Sequence, residues 1–235
     1  MTVGPIKYLQ GVVPCVGFSK TLPACLESFT LVCDRVVVVT ADWDTDTQSI
    51  AKNYGAEVVI TDRWQHPLTD FDKGTVLNDG IRTLEMKHWL LCTDADCIVH
   101  PGTRKYLQEN DFDIELMYGT DIIVCPGHDM FDRHTSKLNW TNKPFPASWR
   151  SLRKKHPVGP FQLFHPHSDI VARNGLYPTG MGKGEDRHLW VRWKRKNLMI
   201  TDKMAKVAHI GRNAGHYQEV RGRQAFRSPL ERTFG

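Results

Sequence analysis

Hydrophobic and polar positions along the chain fall into two regimes. In the first hundred residues, short apolar runs alternate with amphipathic stretches. Tyr8–Val16 reads as a buried strand centred on Gly11-Val12-Val13. Arg35–Thr40 holds the β-branched run Val36-Val37-Val38-Val39, the pattern of a strand covered on both faces. Glu57–Thr61 and Trp89–Thr93 read as two further strands. Between them the spacing changes to that of helices. Ser19 is expected to cap a helix with Leu22, Leu26 and Phe29 on one face. Asp46 is expected to cap a second helix through Tyr54, with Gly55 as its stop. Gly74–Met86 is expected to be a third, with Val76, Leu77, Ile81 and Leu84 inward. Strands and helices alternating at this pace imply right-handed crossovers. The expected fold is α/β, a mostly parallel central sheet flanked by helices.

The second half has weaker periodicity. Residues 126–160 are rich in Pro, His, Lys and aromatics and read as an insertion or lid. Phe161–Phe164 and Met204–Ile210 are short strand candidates. Glu185–Lys196 reads as a helix with Leu189, Trp190 and Trp193 on one face. Neither repeats nor low-complexity tracts interrupt the chain.

Composition narrows the class. The 235 residues are 40% apolar and 24% charged, the mixture of one globular domain with a real core. No run approaches the roughly 18 apolar residues of a membrane span. Residues 1–10 lack the basic start and apolar stretch of a signal peptide, so a cytoplasmic protein is expected. Six cysteines lie largely in apolar runs without a CxxC pair, which points to buried reduced thiols. The sequon Asn139-Trp140-Thr141 carries no meaning in a cytoplasmic protein. The net charge of +5 is uneven: from Arg187 to Gly235 there are 12 Lys or Arg against 3 Asp or Glu. Such a basic end suits an anionic partner, and a solvated basic surface is the plain alternative.

Ligands of parallel α/β sheets bind beyond the carboxyl ends of the strands. Three polar clusters fall there: Gly17–Lys20, Thr40–Asp46 and Asp94–Asp96. Asp94-Ala95-Asp96 follows the strand Trp89–Thr93 directly. Carboxylates at i and i+2 beyond a buried strand can converge on one hard cation, Mn2+ or Mg2+, together with diphosphate oxygens. Such a cation neutralises a leaving diphosphate. An ordinary acidic turn is the competing reading.

Several blocks in order then resemble the GT-A glycosyltransferases of the family-two type. They are Gly11-Val12-Val13-Pro14-Cys15, the stretch Val36–Val58, Phe71-Asp72-Lys73-Gly74-Thr75-Val76-Leu77-Asn78-Asp79-Gly80-Ile81, and the DxD. Gly180–Leu189 is similar to the C-terminal "GGEDxDL" signature of β-1,4-galactosyltransferases, with Gly182 and Lys183 departing from its tryptophan and one glycine. Ala41 stands where the first acid of the usual nucleotide loop would be.

The resemblance, over roughly residues 8–212, implies a Rossmann-like GT-A domain spanning 1–235. It would comprise a nucleotide-binding half (1–100), an acceptor half (101–212) carrying the lid, and a basic tail (213–235). It also implies the residue roles. Pro14, Val16, Gly17, Thr40 and Ala95 would line the donor pocket, and Asp42 or Asp44 would contact the uracil or ribose. Lys73 and Asn78 would sit near the diphosphate. Asp96 would hold the metal, with Asp94 on the metal or the donor sugar, and His209 would complete the site, with His216 as competitor. A buried structural histidine is the alternative at His209. Asp186 would be the general base, taking the acceptor proton in an inverting transfer. Glu185 would bind hydroxyls, although two acids in a first helical turn also suit the helix dipole unaided. Phe161, Gln162, Gly184, Arg150 and Trp149 are the acceptor-side candidates; the lid's aromatics could equally pack against one another.

The function expected is transfer of a sugar from a nucleotide donor, with UDP the expected nucleotide, to an acceptor hydroxyl. DNA bearing hydroxymethylated bases is one acceptor that fits the basic end, and a lipopolysaccharide or surface glycan is its rival. A sugar nucleotidyltransferase lacks support, because no Gly-rich, Arg- and Lys-bearing segment follows the first strand. A sugar- or nucleic-acid-binding module without catalysis is the third reading.

Overall fold

The computed structural model describes residues 4–64, 72–136, 140–152, 157, 159–180, 185–193 and 196–210, and the side chains at 128, 185–187 and 190 also lie outside that description. A seven-stranded sheet forms the centre. In spatial order it contains β10 (Asn197–Ile200), β6 (Met117–Thr120), β9 (Gln162–Phe164), β4 (Trp89–Cys92), β1 (Leu9–Pro14), β2 (Arg35–Thr40) and β3 (Glu57–Ile60). All its pairings are parallel except those of β9, which runs against β4 and β6. The α/β reading with a mostly parallel sheet therefore describes the molecule.

Side chains alternate across this sheet, as strand geometry requires. Val13, Val38 and Leu91 pack with Leu22, Leu26 and Phe29 of α1 (Leu22–Val32), Ala51 of α2 (Thr45–Asn53) and Leu107 of α4 (Gly102–Glu109). Val12, Val37, Val39 and Leu90 face the other way, onto Val76, Leu77 and Ile81 of α3 (Lys73–Ile81), Val171 of α6 (Asp169–Asn174) and Leu189 of α7 (Glu185–Arg192). Both faces are thus covered, which is why the strands read as continuous apolar runs.

Helix caps differ from expectation by a few residues. Thr21, not Ser19, is the N-cap of α1, and it makes no side-chain cap bond; Pro23 supplies the start instead. Asp44, not Asp46, caps α2 by accepting from the Thr47 N–H, while Asp46 lies in the first turn. At the other end, Gly55 has φ +73°, and the bonds Gly55 N to Lys52 O and Ala56 N to Ala51 O close a Schellman motif. The third helix stops at Ile81 rather than Met86, and the last one spans Glu185–Arg192 rather than reaching Lys196.

A second sheet has the order β5 (Cys97–Val99), β11 (Val207–Ile210), β7 (Ile122–Cys125) and β8 (Arg150–Leu152). Residues described within 126–160 do not hang free as a lid. They supply α5 (His128–Thr135), a short 3-10 turn and β8, and Phe131, Phe145 and Trp149 are buried with Ile98, Ala208 and Ile210. Phe145 and Trp149 stack at 5.8 Å, and His100 meets Phe145 edge-on at 5.0 Å. The aromatics of this stretch pack against their own layer because burying them there removes more apolar surface from water than a solvated loop could.

Gly80 shows how closely α3 lies on the sheet. A Cβ there would come within 2.4 Å of Val39 Cγ2 and 3.0 Å of Val12 Cγ1. Alanine in a helix ordinarily gains about 1 kcal/mol over glycine. Overpacking against stiff β-branched neighbours costs about 1–3 kcal/mol and should win. Gly80→Ala is therefore expected to lower the urea midpoint, and an unchanged or raised midpoint would contradict the packing described.

Candidate active site

The site is built where β1, β2 and β4 end. The chain leaves β1 through Cys15, Val16 and Gly17, with Gly17 at φ +74°. The Gly17 N–H donates to Asp44 Oδ2 at 2.7 Å. Asp44 also accepts from Thr47 N and Thr47 Oγ1, at 3.2 and 2.8 Å. This buried carboxylate (8% exposed) thus ties the loop after β1 to the start of α2. Its oxygens already serve the chain, so the structure makes it a framework residue, whereas Asp42 is exposed at the same edge. Thr40, at the end of β2, is fully buried, and its Oγ1 has no hydrogen-bond partner among the described residues. Pro14, Val16 and Ala95 are buried.

After β4 the chain turns out of the main sheet at Asp94-Ala95-Asp96 and enters β5. The two carboxylates then part company. Asp94 Oδ1 lies 2.6 Å from Lys73 Nζ, the first residue of α3. Asp96 Oδ2 lies 3.2 Å from His209 Nε2, on β11. Asp94 is held by the lysine, and among the described residues the cluster of potential metal donors comprises Asp96, Cys97 and His209. These three donor atoms lie within 4.8 Å of one another. The contact arises from pairing, because β11 runs antiparallel to β5 with His209 opposite Cys97, and the Ile210 N–H donates to Asp96 O at 2.9 Å. His209 thus stands beside Asp96, and His216 lies outside the described residues.

The donor set fits a divalent cation. A carboxylate oxygen and an imidazole nitrogen 3.2 Å apart are spaced as neighbouring ligands of an ion bound at about 2.0–2.2 Å. The thiols nearby are protonated when no ion is present. Burial pushes Cys97 well above its ordinary value, reinforced by the charges of Asp96 and Asp94. Burial likewise pushes Cys15 up to about 12. Cys97 Sγ donates to Asp96 Oδ1 at 3.5 Å, and Cys25 Sγ to the Asp94 carbonyl at 3.6 Å, so both ends of the DxD are buttressed from the core.

The segment Lys73–Gly80 explains itself residue by residue. Asn78 Nδ2 donates to Tyr177 O, and Tyr177 N donates to Asn78 Oδ1, each at 2.9 Å. Asn78 is therefore a latch on the stretch entering 177–180. Gly74 permits the same approach, since a Cβ would stand 2.0 Å from Pro178 O. Asp72 caps α3 through Thr75 and also accepts from the Gly180 N–H at 2.5 Å. Burial alone would raise its carboxyl. The bonds from the Thr75 hydroxyl and from the N–H groups of Gly180, Thr75 and Gly74 together hold it below the usual range.

On the other side, Phe161 and Gln162 are buried at 1% and 0%, and Gln162 Oε1 accepts from the Tyr177 hydroxyl. Trp149 is buried at 5%. All three are buried rather than presented on an open surface, whereas Arg150 is exposed. Asp186 and Glu185 occupy the first turn of α7 with side chains outside the described residues, and Gly184 lies outside them altogether. Sequence reasoning passed over Asp72, although Asp72-x-x-Thr75 is a capping pattern. It also passed over Tyr177 and Cys97, whose places depend on contacts distant in sequence.

Comparison with solved structures agrees with this architecture. A mannosyltransferase of Pyrobaculum calidifontis, solved with GDP-Man and Mn2+, superposes with a TM-score of 0.56 at 17% identity, covering 92% of this chain and 61% of that one. This chain thus spans under two thirds of that enzyme's length. Glucosyl-3-phosphoglycerate synthase of Mycobacterium tuberculosis, solved with phosphoglyceric acid, gives 0.56 at 15% identity, covering 94% and 81%. The same enzyme solved with Mn2+, UDP and glucosyl-3-phosphoglycerate gives 0.54 at 16%, covering 91% and 76%. No family model matches the chain. The curated proteins hold no match either. The fold is that of the GT-A glycosyltransferases. Among the described residues no helix is long and apolar enough to cross a membrane.

The depressed Asp72 carboxyl sets a pH dependence. Its stabilising contribution is fully present above the ordinary value of 3.8 and is lost as pH falls through the lower folded value. Asp72→Asn should thus be less stable than the parent in urea at neutral pH, with the gap narrowing below pH 3.8. A gap that stays constant into acid would show that the charge plays no part.

Proposed function

We propose that this protein is a metal-dependent glycosyltransferase that takes a nucleotide sugar as donor. One observation carries the reading: Lys73–Asp94 and Asp96–His209 meet beyond the carboxyl ends of a parallel sheet, where such folds bind ligands. Asp96 and His209 would hold the cation. When bound there, a divalent cation supplies Lewis-acid neutralisation of the departing diphosphate. Lys73 adds a fixed positive charge next to the same place and, held by Asp94, needs little reorganisation to use it. Asp42 would receive the base or ribose. Asp186 would take the proton of the acceptor hydroxyl, with Glu185 binding hydroxyls beside it; this assignment rests on the sequence resemblance of the Gly180–Leu189 segment. Residues 1–100 would serve the donor and 101–212 the acceptor.

The donor is proposed to be UDP-linked and the stereochemistry inverting, both on the resemblance. The two solved neighbours carry GDP-Man and UDP in turn, so both nucleotides belong in the test. The acceptor is proposed to be anionic, supported by the 12 Lys or Arg against 3 Asp or Glu from Arg187 onward. DNA with hydroxymethylated bases is the first acceptor to try. Its base must leave the stack to be glycosylated, and its binding should weaken steeply with salt. A small phosphorylated acid, the kind of molecule named with the mycobacterial enzyme, is the second, and a surface glycan the third. A binding module on the same scaffold remains the reading from another class.

Incubation with single UDP-, GDP- and dTDP-sugars and a divalent cation should release free nucleotide from one of them. Release should cease with chelator and in Asp96→Ala. Asp186→Asn should keep donor binding while turnover falls by about 10²–10⁴. Nucleotide release that survives Asp96→Ala would refute the metal assignment. Donor binding without release from any combination would establish the binding module instead.

A further inference from the structure

Cys97 follows the DxD, and its position is not that of an ordinary core cysteine. Antiparallel pairing of β5 with β11 sets Cys97 directly opposite His209. Residues paired in this way project on the same face of the sheet, with their Cβ atoms about 4.5–5.5 Å apart. The Ile210 N–H to Asp96 O bond brings Asp96 to the same end of the ladder. The outcome is an oxygen, a nitrogen and a sulfur within 4.8 Å of one another. Asp96 Oδ2 to His209 Nε2 is 3.2 Å, and Cys97 Sγ to Asp96 Oδ1 is 3.5 Å. Ligands of a four-coordinate cation with bonds of about 2.0–2.3 Å are separated by roughly 3.3–3.8 Å. Other buried thiols nearby point elsewhere: Cys25 to the Asp94 carbonyl and Cys15 to the Thr47 hydroxyl.

We propose that Cys97 Sγ is a third protein ligand of the cation site, so that this chain selects a borderline divalent cation of the Zn2+ or Co2+ kind over Mg2+ and Mn2+. The inference rests on the assignment of Asp96 and His209 to the cation. Hard cations favour oxygen donors and gain little from sulfur, whereas a carboxylate, imidazole and thiolate set is a binding environment for Zn2+ and Co2+. Uptake forms a metal–sulfur bond and sends the thiol proton to solvent, which also ends the Cys97–Asp96 hydrogen bond. Three protein ligands leave a position open on the cation, the arrangement of catalytic rather than structural sites.

Titration of the whole protein with Co2+, without donor, tests this. The parent should show a near-ultraviolet thiolate-to-cobalt charge-transfer band. Cys97→Ser should lose the band, and Cys25→Ser, which alters an equally buried thiol, should keep it. In competition against a chelating dye, the preference for Zn2+ over Mn2+ should fall about tenfold or more in Cys97→Ser. The parent protein alone suffices to overturn the idea, even if the variant misfolds. Co2+ bound without a thiolate band, yet lost in Asp96→Asn, would make Cys97 a core thiol while leaving the Asp96–His209 assignment standing. Failure to bind Co2+, Zn2+ or Mn2+ at all would sink both.

Discussion

The pairing of β5 with β11 is the constraint on which the site depends. At the end of β4 the chain abandons the main sheet, and Asp94-Ala95-Asp96 would be a solvated turn if nothing received the residues that follow. β11 receives them. It aligns against β5 from Val207–Val99 to His209–Cys97 and pairs on its other edge with β7 over four residues. Val207, Ala208 and Ile210 are wholly buried, so the register is fixed by packing as well as by hydrogen bonds. A slip of one residue would turn His209 away from Asp96 and drive it into the core. The position of a single candidate ligand is thereby tied to the closure of an entire sheet by strands far apart in sequence.

Helix α3 is the second organising element, and it works at both ends. Its C-terminal half lies so close to the sheet that Gly80 has no room for a side chain. Its first turn presents Lys73 to Asp94 and, through Asp72, Gly74 and Asn78, holds the segment 177–180 against it. That segment leads to α7, whose first turn contains Glu185 and Asp186. The lysine that pairs with Asp94 and the segment 177–180 are thus set by one helix. Precision of this kind is easier to hold on a helix than on a loop.

These relations explain what could be read from sequence. The first hundred residues were legible because β1, β2 and β4 are almost wholly buried and read as unbroken apolar runs, while α1 and α3 set their apolar residues at helical spacing toward the sheet, so periodicity and burial coincide. The Lys73–Gly80 block was recognisable as a motif, yet the bonds of its asparagine to Tyr177 could not be read from residue type alone. An amide suits a diphosphate and a peptide group equally, and the bonds to Tyr177 depend on a residue 99 positions away. Asp44 and Asp46 are each good helix caps; Thr47, three residues after Asp44, tips the balance by adding a hydroxyl bond to the backbone one. The second half was obscure because β6, β7 and β10 are four residues each and acquire their order only from distant partners. In 126–160, aromatics that suit sugar stacking also suit burial, and the neighbouring faces of Ile98 and Ala208 decided in favour of burial.

Electrostatics then indicates what the proposed cation would do here. Asp94 is matched by Lys73, but Asp96 places a second negative charge next to a histidine in a part of the molecule that is 8% exposed at that residue. A buried carboxylate is costly unless it is paired or coordinates a metal. On the proposed function, a diphosphate arriving at the same place would bring further negative charge beside Lys73. On that reading, a divalent cation held by Asp96 and His209 would answer both, stabilising the carboxylate and attracting the donor. The thiol of Cys97 bears on the kind of cation rather than on the need for one: oxygen donors alone would leave that choice to supply, whereas sulfur at the same point builds it into the fold.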